Sequence, residues 1–159
     1  ENNGFLEDQI REYLENNKNN YIEALRIIPL KTRKMFAHSY QSFLFNKIVN
    51  EYLKNINSKN IKIPIIGFNF ELNSIKNKIL KNIIKKFMDE EKINPRDFII
   101  NQIPELTSEG SFRDLFFELN FKMLEFAKDD LNENKQKIKI NFTLPKSCYA
   151  TTAIEFIFQ

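Results

Sequence analysis

The sequence predicts an α/β fold of the α+β kind, with helices in its first two thirds and antiparallel strands near its end. Two patterns predict this. Apolar residues recur every three or four positions through most of residues 5–91, as one face of a helix requires. From residue 115 onward they alternate, as a half-buried strand requires. Hydrophobic residues make up 42% of the chain, which is enough apolar surface to offset the entropy of ordering a core.

Residues 5–28 predict two short helices, and Pro29 marks the break that follows them. Residues 31–55 predict a longer helix whose apolar residues cover more than one stripe. They are Phe36, Tyr40, Phe43, Leu44, Ile48, Val49, Tyr52 and Leu53. A helix that is apolar on several faces is normally surrounded by other elements. We therefore expect this helix to be central and buried on several sides.

Three isoleucines then alternate with Lys62 and Pro64, which predicts a short edge strand before a turn at Gly67. Ser74 is expected to cap a helix over residues 75–91, because a serine hydroxyl can accept a hydrogen bond from a first-turn N–H. Asn94 and Pro95 form a cap and first-turn pair, which predicts another short helix.

The last third alternates apolar and polar residues from Gly110, which predicts two strands joined by a polar loop over residues 129–136. The alternating residues are Leu115, Phe117, Leu119, Phe121 and Met123, then Ile138, Ile140, Phe142 and Leu144. Pro145 should end the second strand. The apolar tail over residues 149–158 is expected to pack back onto the sheet.

The net charge of +3 permits nucleic-acid binding without indicating it. One cysteine, Cys148, excludes an internal disulfide, and with one histidine, His38, a structural zinc site is not expected. No apolar run reaches the roughly 20 residues of a membrane helix. We expect a soluble, cytoplasmic protein without membrane contact. The chain begins at Glu1 without Met, which suggests that residues preceded it.

Three segments in order resemble the signature blocks of one enzyme family. The first is Phe36-Ala37-His38-Ser39-Tyr40-Gln41-Ser42-Phe43-Leu44-Phe45-Asn46, the second is Gly110-Ser111-Phe112-Arg113, and the third is Phe142-Thr143-Leu144-Pro145-Lys146-Ser147-Cys148-Tyr149-Ala150-Thr151. They are similar to the blocks of the TruD family of tRNA pseudouridine synthases. The family's nucleophilic Asp motif and its Asn-x-Phe-Gly block lie upstream of everything present. The chain therefore resembles the C-terminal part of such an enzyme.

The resemblance implies an activity, a partner and a domain plan. Pseudouridine synthases detach uracil from ribose, rotate it and rejoin it through carbon, using an Asp at the sugar and no metal or redox cofactor. The implied partners are tRNA and the missing N-terminal part of the same protein. Residues 1–55 and 109–159 would belong to the catalytic domain, as helices and as strands of an antiparallel sheet. Residues 56–108 would form a small inserted α/β domain.

By resemblance, two groups of residues would contact the substrate. The expected active-site wall consists of Leu144, Tyr149, Thr151 and Arg113, and the expected RNA-binding residues are Lys146, His38, Gln41 and Asn46. No catalytic residue is expected within this chain. Other roles remain open, because Gln41 and Asn46 could cap a neighbouring loop and Arg113 could form a structural ion pair.

The chain departs from the family pattern at two places. Ser147 and Cys148 replace the usual Gly-Ser, and Glu155 stands where Arg is expected. The main alternative is therefore a non-catalytic RNA-binding module or degenerate paralogue. A protein-interaction domain without an RNA role is a third possibility, which predicts no retention on tRNA at physiological salt.

Overall fold

The structure is a computed structural model that describes residues 3–55, 60–145 and 148–158. The chain divides into two compact units, Glu1–Leu115 and Phe116–Gln159. The described residues form five α-helices and two antiparallel sheets of two strands each. The predicted α+β class is therefore confirmed. In the same ranges, no helix combines the length and the apolarity that crossing a bilayer requires.

The helices of the first unit agree with the predicted ones, apart from the start of the fourth α-helix. They are α1 (Asn3–Asn16), α2 (Tyr21–Ile27), α3 (Leu30–Lys54) and α4 (Lys78–Glu90), with short 3-10 helices at Leu72–Ser74, Pro95–Phe98 and Pro104–Leu106. The Asn94 and Pro95 pair begins the second 3-10 helix, where the side chains of Asn94 and Asp97 form a capping box. The prediction of a short helix at this position is confirmed.

The start of α4 differs from the prediction, because its cap is Asn77 and not Ser74. The Asn77 side-chain oxygen accepts a hydrogen bond from the N–H of Leu80 at 3.0 Å. Ser74 instead ends a 3-10 helix, and its hydroxyl donates to the carbonyl of Glu71 at 2.7 Å. Since the hydroxyl is used there and Ile75 is extended, α4 begins three residues later than predicted.

The long helix α3 buries one face. Its buried residues are Arg33, Gln41, Leu44, Ile48 and Tyr52. Leu44, Ile48 and Tyr52 join a core that also includes Ile63 and Ile66 and, from α4, Leu80, Ile84 and Phe87. The aromatic residues Phe36 and Phe43 are 58% and 49% exposed. The prediction of burial on several sides is wrong for this unit, because its core elements cover a single side of the helix.

The two strands of the first unit are joined by a close backbone crossing. Strand β1 (Lys62–Ile65) pairs antiparallel with β2 (Ser111–Asp114), so Ile65 lies opposite Ser111. Just beyond this pair, the backbone at Gly67 crosses close to the backbone at Gly110. A Cβ atom on Gly67 would lie 2.1 Å from the Gly110 nitrogen, far inside van der Waals contact. The crossing therefore requires glycine.

A buried arginine joins the beginning of α3 to the 3-10 helix at Pro104–Leu106. Arg33 is 8% exposed. Its Nε donates to the carbonyl of Ile28 at 2.9 Å, and its Nη1 donates to Glu105 Oε1 at 2.8 Å. The backbone N–H of Glu105 itself and then Arg33 lower the pKa of the Glu105 carboxyl. The guanidinium thus satisfies a helix-end carbonyl and a carboxylate together.

The second unit contains β3 (Asn120–Lys128), β4 (Gln136–Thr143) and α5 (Ala150–Ile157). The predicted hairpin is confirmed, but the strand expected to run from Gly110 to Met123 is interrupted. Its first part is β2, which pairs with β1, and Leu115 donates to the carbonyl of Ile61 at 2.8 Å beyond it. Alternation continues across the interruption, so the pattern could not reveal a change of partner strand.

A β-bulge between Met123 and Glu125 keeps the apolar residues of β3 on one face. Before it, Phe121 pairs with Phe142 and Met123 with Ile140; after it, Phe126 pairs with Ile138. Side chains alternate between faces, so a regular strand would place Glu125 beside Met123. The extra residue shifts this alternation by one position. From Phe121 to Phe126, one face of the hairpin is therefore apolar.

The tail after β4 forms α5, in which Ala153 is buried. Phe156 is 75% exposed and Phe158 is 54% exposed. The prediction that the tail packs back onto the sheet is wrong for these two rings. The unit is too small to cover both its hairpin and its terminal helix.

Replacing Gly67 by Ala should lower the free energy of unfolding by about 2 kcal/mol or more, since overpacking against backbone forces strands apart. Urea denaturation followed by circular dichroism measures this change. The matched control is Gly4→Ala, where the added carbon would come no closer than 3.9 Å to a non-neighbouring atom. Its effect should be neutral or slightly stabilising, as Ala favours helix. If the two variants were equally stable, the close approach of the Gly67 and Gly110 backbones would be contradicted.

Candidate functional site

The three predicted RNA-binding residues of α3 differ in exposure. His38 and Asn46 are exposed, whereas Gln41 is buried. The side-chain amide of Gln41 donates to the carbonyl of Ile66 at 2.9 Å and to the carbonyl of Glu109 at 3.0 Å. Both donors of the amide group are therefore used inside the protein. This geometry favours the loop-capping alternative for Gln41.

Gln41 and Asn69 together hold the glycine crossing. Gln41 binds the carbonyls that precede Gly67 and Gly110 in the chain. The Asn69 side-chain oxygen accepts a hydrogen bond from the N–H of Gly110 at 2.7 Å. The turn that begins the Gly110-Ser111-Phe112-Arg113 block is thus held from two directions. The sequence analysis did not identify Asn69. The available signal was its position, as a polar residue just after the turn at Gly67.

Arg113 lies on β2, opposite Ile63. Its guanidinium carbon is 5.4 Å from the centroid of the Phe45 ring, a cation–π distance. Phe45 precedes Asn46 on α3. His38 lies seven residues before Phe45, which is about two helical turns. The structure thus brings Arg113 to the flank of α3 that carries Phe45, and His38 lies on the same flank.

A groove of about 370 Å³ lies beside the Gly110 turn. Its lining includes the side chains of Asn69, Glu71, Ser111 and Phe112, and the Phe112 ring is 55% exposed. The volume falls in the range of small-ligand sites, roughly 300 to 1,000 Å³. An aromatic face, a carboxylate and two polar side chains could stack on and hydrogen-bond to a planar polar ligand.

The remaining predicted wall residues belong to the second unit. Leu144 is half-buried, Tyr149 is 56% exposed at the cap of α5, and Thr151 is exposed in its first turn. The N–H of Cys148 donates to the carbonyl of Pro145 at 3.3 Å. Lys146 lies outside the described residues. That these residues face Arg113 stays a prediction.

Within the described ranges, no three His, Cys, Asp or Glu side chains are grouped so that they could hold a metal ion. The polar residues that line the groove beside the Gly110 turn are Asn69, Glu71, Ser74 and Ser111. Such groups can bind phosphate, ribose or base edges through hydrogen bonds. The arrangement is suited to holding a nucleotide through such hydrogen bonds.

Known proteins resemble this chain over nearly its whole length. The family model described as "tRNA pseudouridine synthase D (TruD)" matches residues 3–67 and 54–155. A "Probable tRNA pseudouridine synthase D" of Methanopyrus kandleri is 29% identical over 93% of this chain and 38% of its own length. The corresponding protein of Nanoarchaeum equitans is 30% identical over 89% of this chain and 37% of its own.

A "tRNA pseudouridine synthase D" of Aquifex aeolicus is 26% identical over 85% of this chain and 39% of its own length. A crystal structure of the TruD protein of Methanosarcina mazei superposes with a TM-score of 0.69 at 23% identity, covering 92% of this chain and 42% of that one. This last likeness supports the fold alone. The chain thus spans about two fifths of the length of the relatives it matches.

Replacing Gln41 by Leu should lower the free energy of unfolding by about 1–3 kcal/mol, because two carbonyls lose their donor in a buried place. Thermal unfolding of the variant measures the loss. Asn46→Leu, on the exposed side of the same helix, is the matched control and should change stability by no more than about 0.5 kcal/mol. A Gln41 variant as stable as the control would show that the amide does not hold the crossing.

Proposed function

This chain belongs to the TruD family of tRNA pseudouridine synthases, and we propose that it works as the C-terminal part of an enzyme that converts a uridine of tRNA to pseudouridine. The observation that carries this proposal is the match of the family model to both units of the chain. The relatives with this activity in their names are longer, so further polypeptide would complete the enzyme. A tRNA substrate implies a cytoplasmic location.

In the proposed division of labour, the nucleophilic Asp comes from polypeptide outside this chain. The reaction breaks the bond between the sugar and N1 of uracil and forms one between the sugar and C5. C5 loses its proton to solvent, and N1 takes up a proton. Bond exchange at the sugar needs a nucleophile and a pocket that retains the free base. This chain would supply part of that pocket and part of the RNA surface.

The proposed partner polypeptide is supported by the surface of the hairpin. Phe121, Met123 and Phe126 of β3 are 49%, 56% and 57% exposed on its apolar face. A two-stranded hairpin by itself is marginally stable in water, and a contiguous apolar face marks an interaction site. The N-terminal part of the enzyme, packed against this face, would bury it.

The proposed substrate contacts lie on two surfaces. Arg113 would bind a phosphate or an active-site carboxylate, since its planar fork suits either. His38 would contact the RNA on the same flank of α3, and Asn46 would do so from the exposed side of the helix. Leu144, Tyr149 and Thr151 would form the wall of the uracil pocket, with Lys146 near a phosphate. Gln41 would act indirectly, by positioning the turn that presents Arg113.

The proposal is tested by release of tritium from tRNA that carries uridine labelled at C5. This chain alone should release none, because the nucleophile is absent. The chain mixed or joined with an Asp-bearing N-terminal part should release label, and mapping should place pseudouridine at the same site. The matched control is that complex with Asn substituted for the nucleophilic Asp, which should bind tRNA and release nothing.

The alternative of a non-catalytic RNA-binding module makes a different prediction for the same experiment. The replacement of the family's Gly-Ser by Ser147 and Cys148 is the observation that favours it. In that case tRNA would be retained at physiological salt without tritium release, even with the N-terminal part present. No retention on tRNA at all would contradict both functions.

Replacing Arg113 by Lys in the complete enzyme should lower kcat/KM for tRNA roughly tenfold or more, since the charge remains but the bidentate fork is lost. Single-turnover kinetics and filter binding separate the effect on chemistry from that on affinity. Arg96→Lys, an exposed arginine on the 3-10 helix Pro95–Phe98, is the matched control. If both variants behave alike, Arg113 has no site role.

A further inference from the structure

A small cavity lies against the flank of α3 that faces away from Arg113. Its volume is about 140 Å³, and its walls include Tyr40, Phe98 and Leu106. Tyr40 and Phe45 are five residues apart, which places them about 140° apart around the helix. One water molecule in the liquid occupies about 30 Å³. The volume of the cavity is more than four times as large. The cavity could therefore accept one long side chain.

The walls of this cavity combine aromatic faces with one carboxylate. The rings of Tyr40 and Phe98 stack with their centroids 6.4 Å apart. Asp97 also lines the cavity, and its Oδ2 accepts a hydrogen bond from the N–H of Asn94 at 2.7 Å. No Lys or Arg among the described residues forms an ion pair with Asp97.

A neighbouring part of the same surface shows that two aromatic rings and a carboxylate can hold a cation. Next to the cavity, Lys47 Nζ lies 5.3 Å from the centroid of the Phe43 ring and 4.9 Å from that of Phe87. Its counter-ion is Glu91, at 2.6 Å. Two rings and a carboxylate hold a cation there, and Tyr40, Phe98 and Asp97 offer the same three groups.

We propose that this cavity binds an arginine side chain of a further polypeptide segment, with the guanidinium against the Tyr40 and Phe98 rings and paired with Asp97. A guanidinium suits the site better than an ammonium, because it is planar, stacks on rings and is more weakly hydrated. The carboxylates oppose a nucleic-acid occupant, whose phosphates they would repel.

The test uses two peptides that differ in one charge. Acetyl-Gly-Ser-Arg-Ser-Gly-amide and its citrulline counterpart, a neutral molecule of nearly the same shape, are titrated into the labelled full chain. The side-chain resonances of Tyr40 and Phe98 report occupancy by NMR. We expect saturable shifts with the arginine peptide and roughly three- to tenfold weaker binding of the citrulline peptide.

Asp97→Asn should remove the preference for arginine and leave citrulline binding unchanged. Asparagine keeps an oxygen that can accept the Asn94 hydrogen bond, so the local fold should persist. The matched control is Asp89→Asn, an exposed carboxylate of α4, which should behave as the unmodified chain does.

Three results would overturn the proposal. These are equal affinities for the two peptides, absence of any saturable shift, or tighter saturation of the same resonances by hexauridylate, which would assign the cavity to RNA. The comparison of peptides needs no variant, so a misfolded Asp97→Asn protein would not obscure it. The inference is independent of the proposed enzyme activity and can fail without affecting it.

Discussion

The buried amide of Gln41 is the interaction on which the first unit depends most. It joins α3 to two loops by donating to the carbonyls of Ile66 and Glu109, where the backbones of Gly67 and Gly110 pass too close for any side chain. Buried carbonyls without donors are costly, so the crossing and the amide require each other. The position of Arg113, three residues beyond Gly110, follows from this contact.

The helix α3 therefore has three different surfaces. One face packs into the core through Leu44 and Ile48. One flank, with Phe45, meets Arg113 and carries the proposed RNA contacts. The opposite flank, with Tyr40, stacks with Phe98 beside an apolar cavity. The apolar residues that cover more than one stripe of its sequence reflect this division of surfaces, each of which suits a different kind of neighbour.

Much of the fold could be predicted from local patterns, because helix and hairpin periodicity is encoded in neighbouring residues. The errors arose where distant contacts decide. Ser74 is a good cap in isolation, but its hydroxyl binds Glu71. The alternation through Leu115 does not reveal that two strands have different partners. For the site, the resemblance drew attention to Gln41, but its partners lie 25 and 68 residues away, so no local pattern could identify them.

The bulge in β3 has a consequence for how this segment can vary. The bulge shifts the alternation of side chains. The apolar face therefore carries odd-numbered residues before the bulge, Phe121 and Met123, and an even-numbered residue after it, Phe126. Losing a single residue at Leu124 would restore a regular strand while keeping every apolar side chain on its face. Length changes in this hairpin should therefore be confined to the bulge or to the loop.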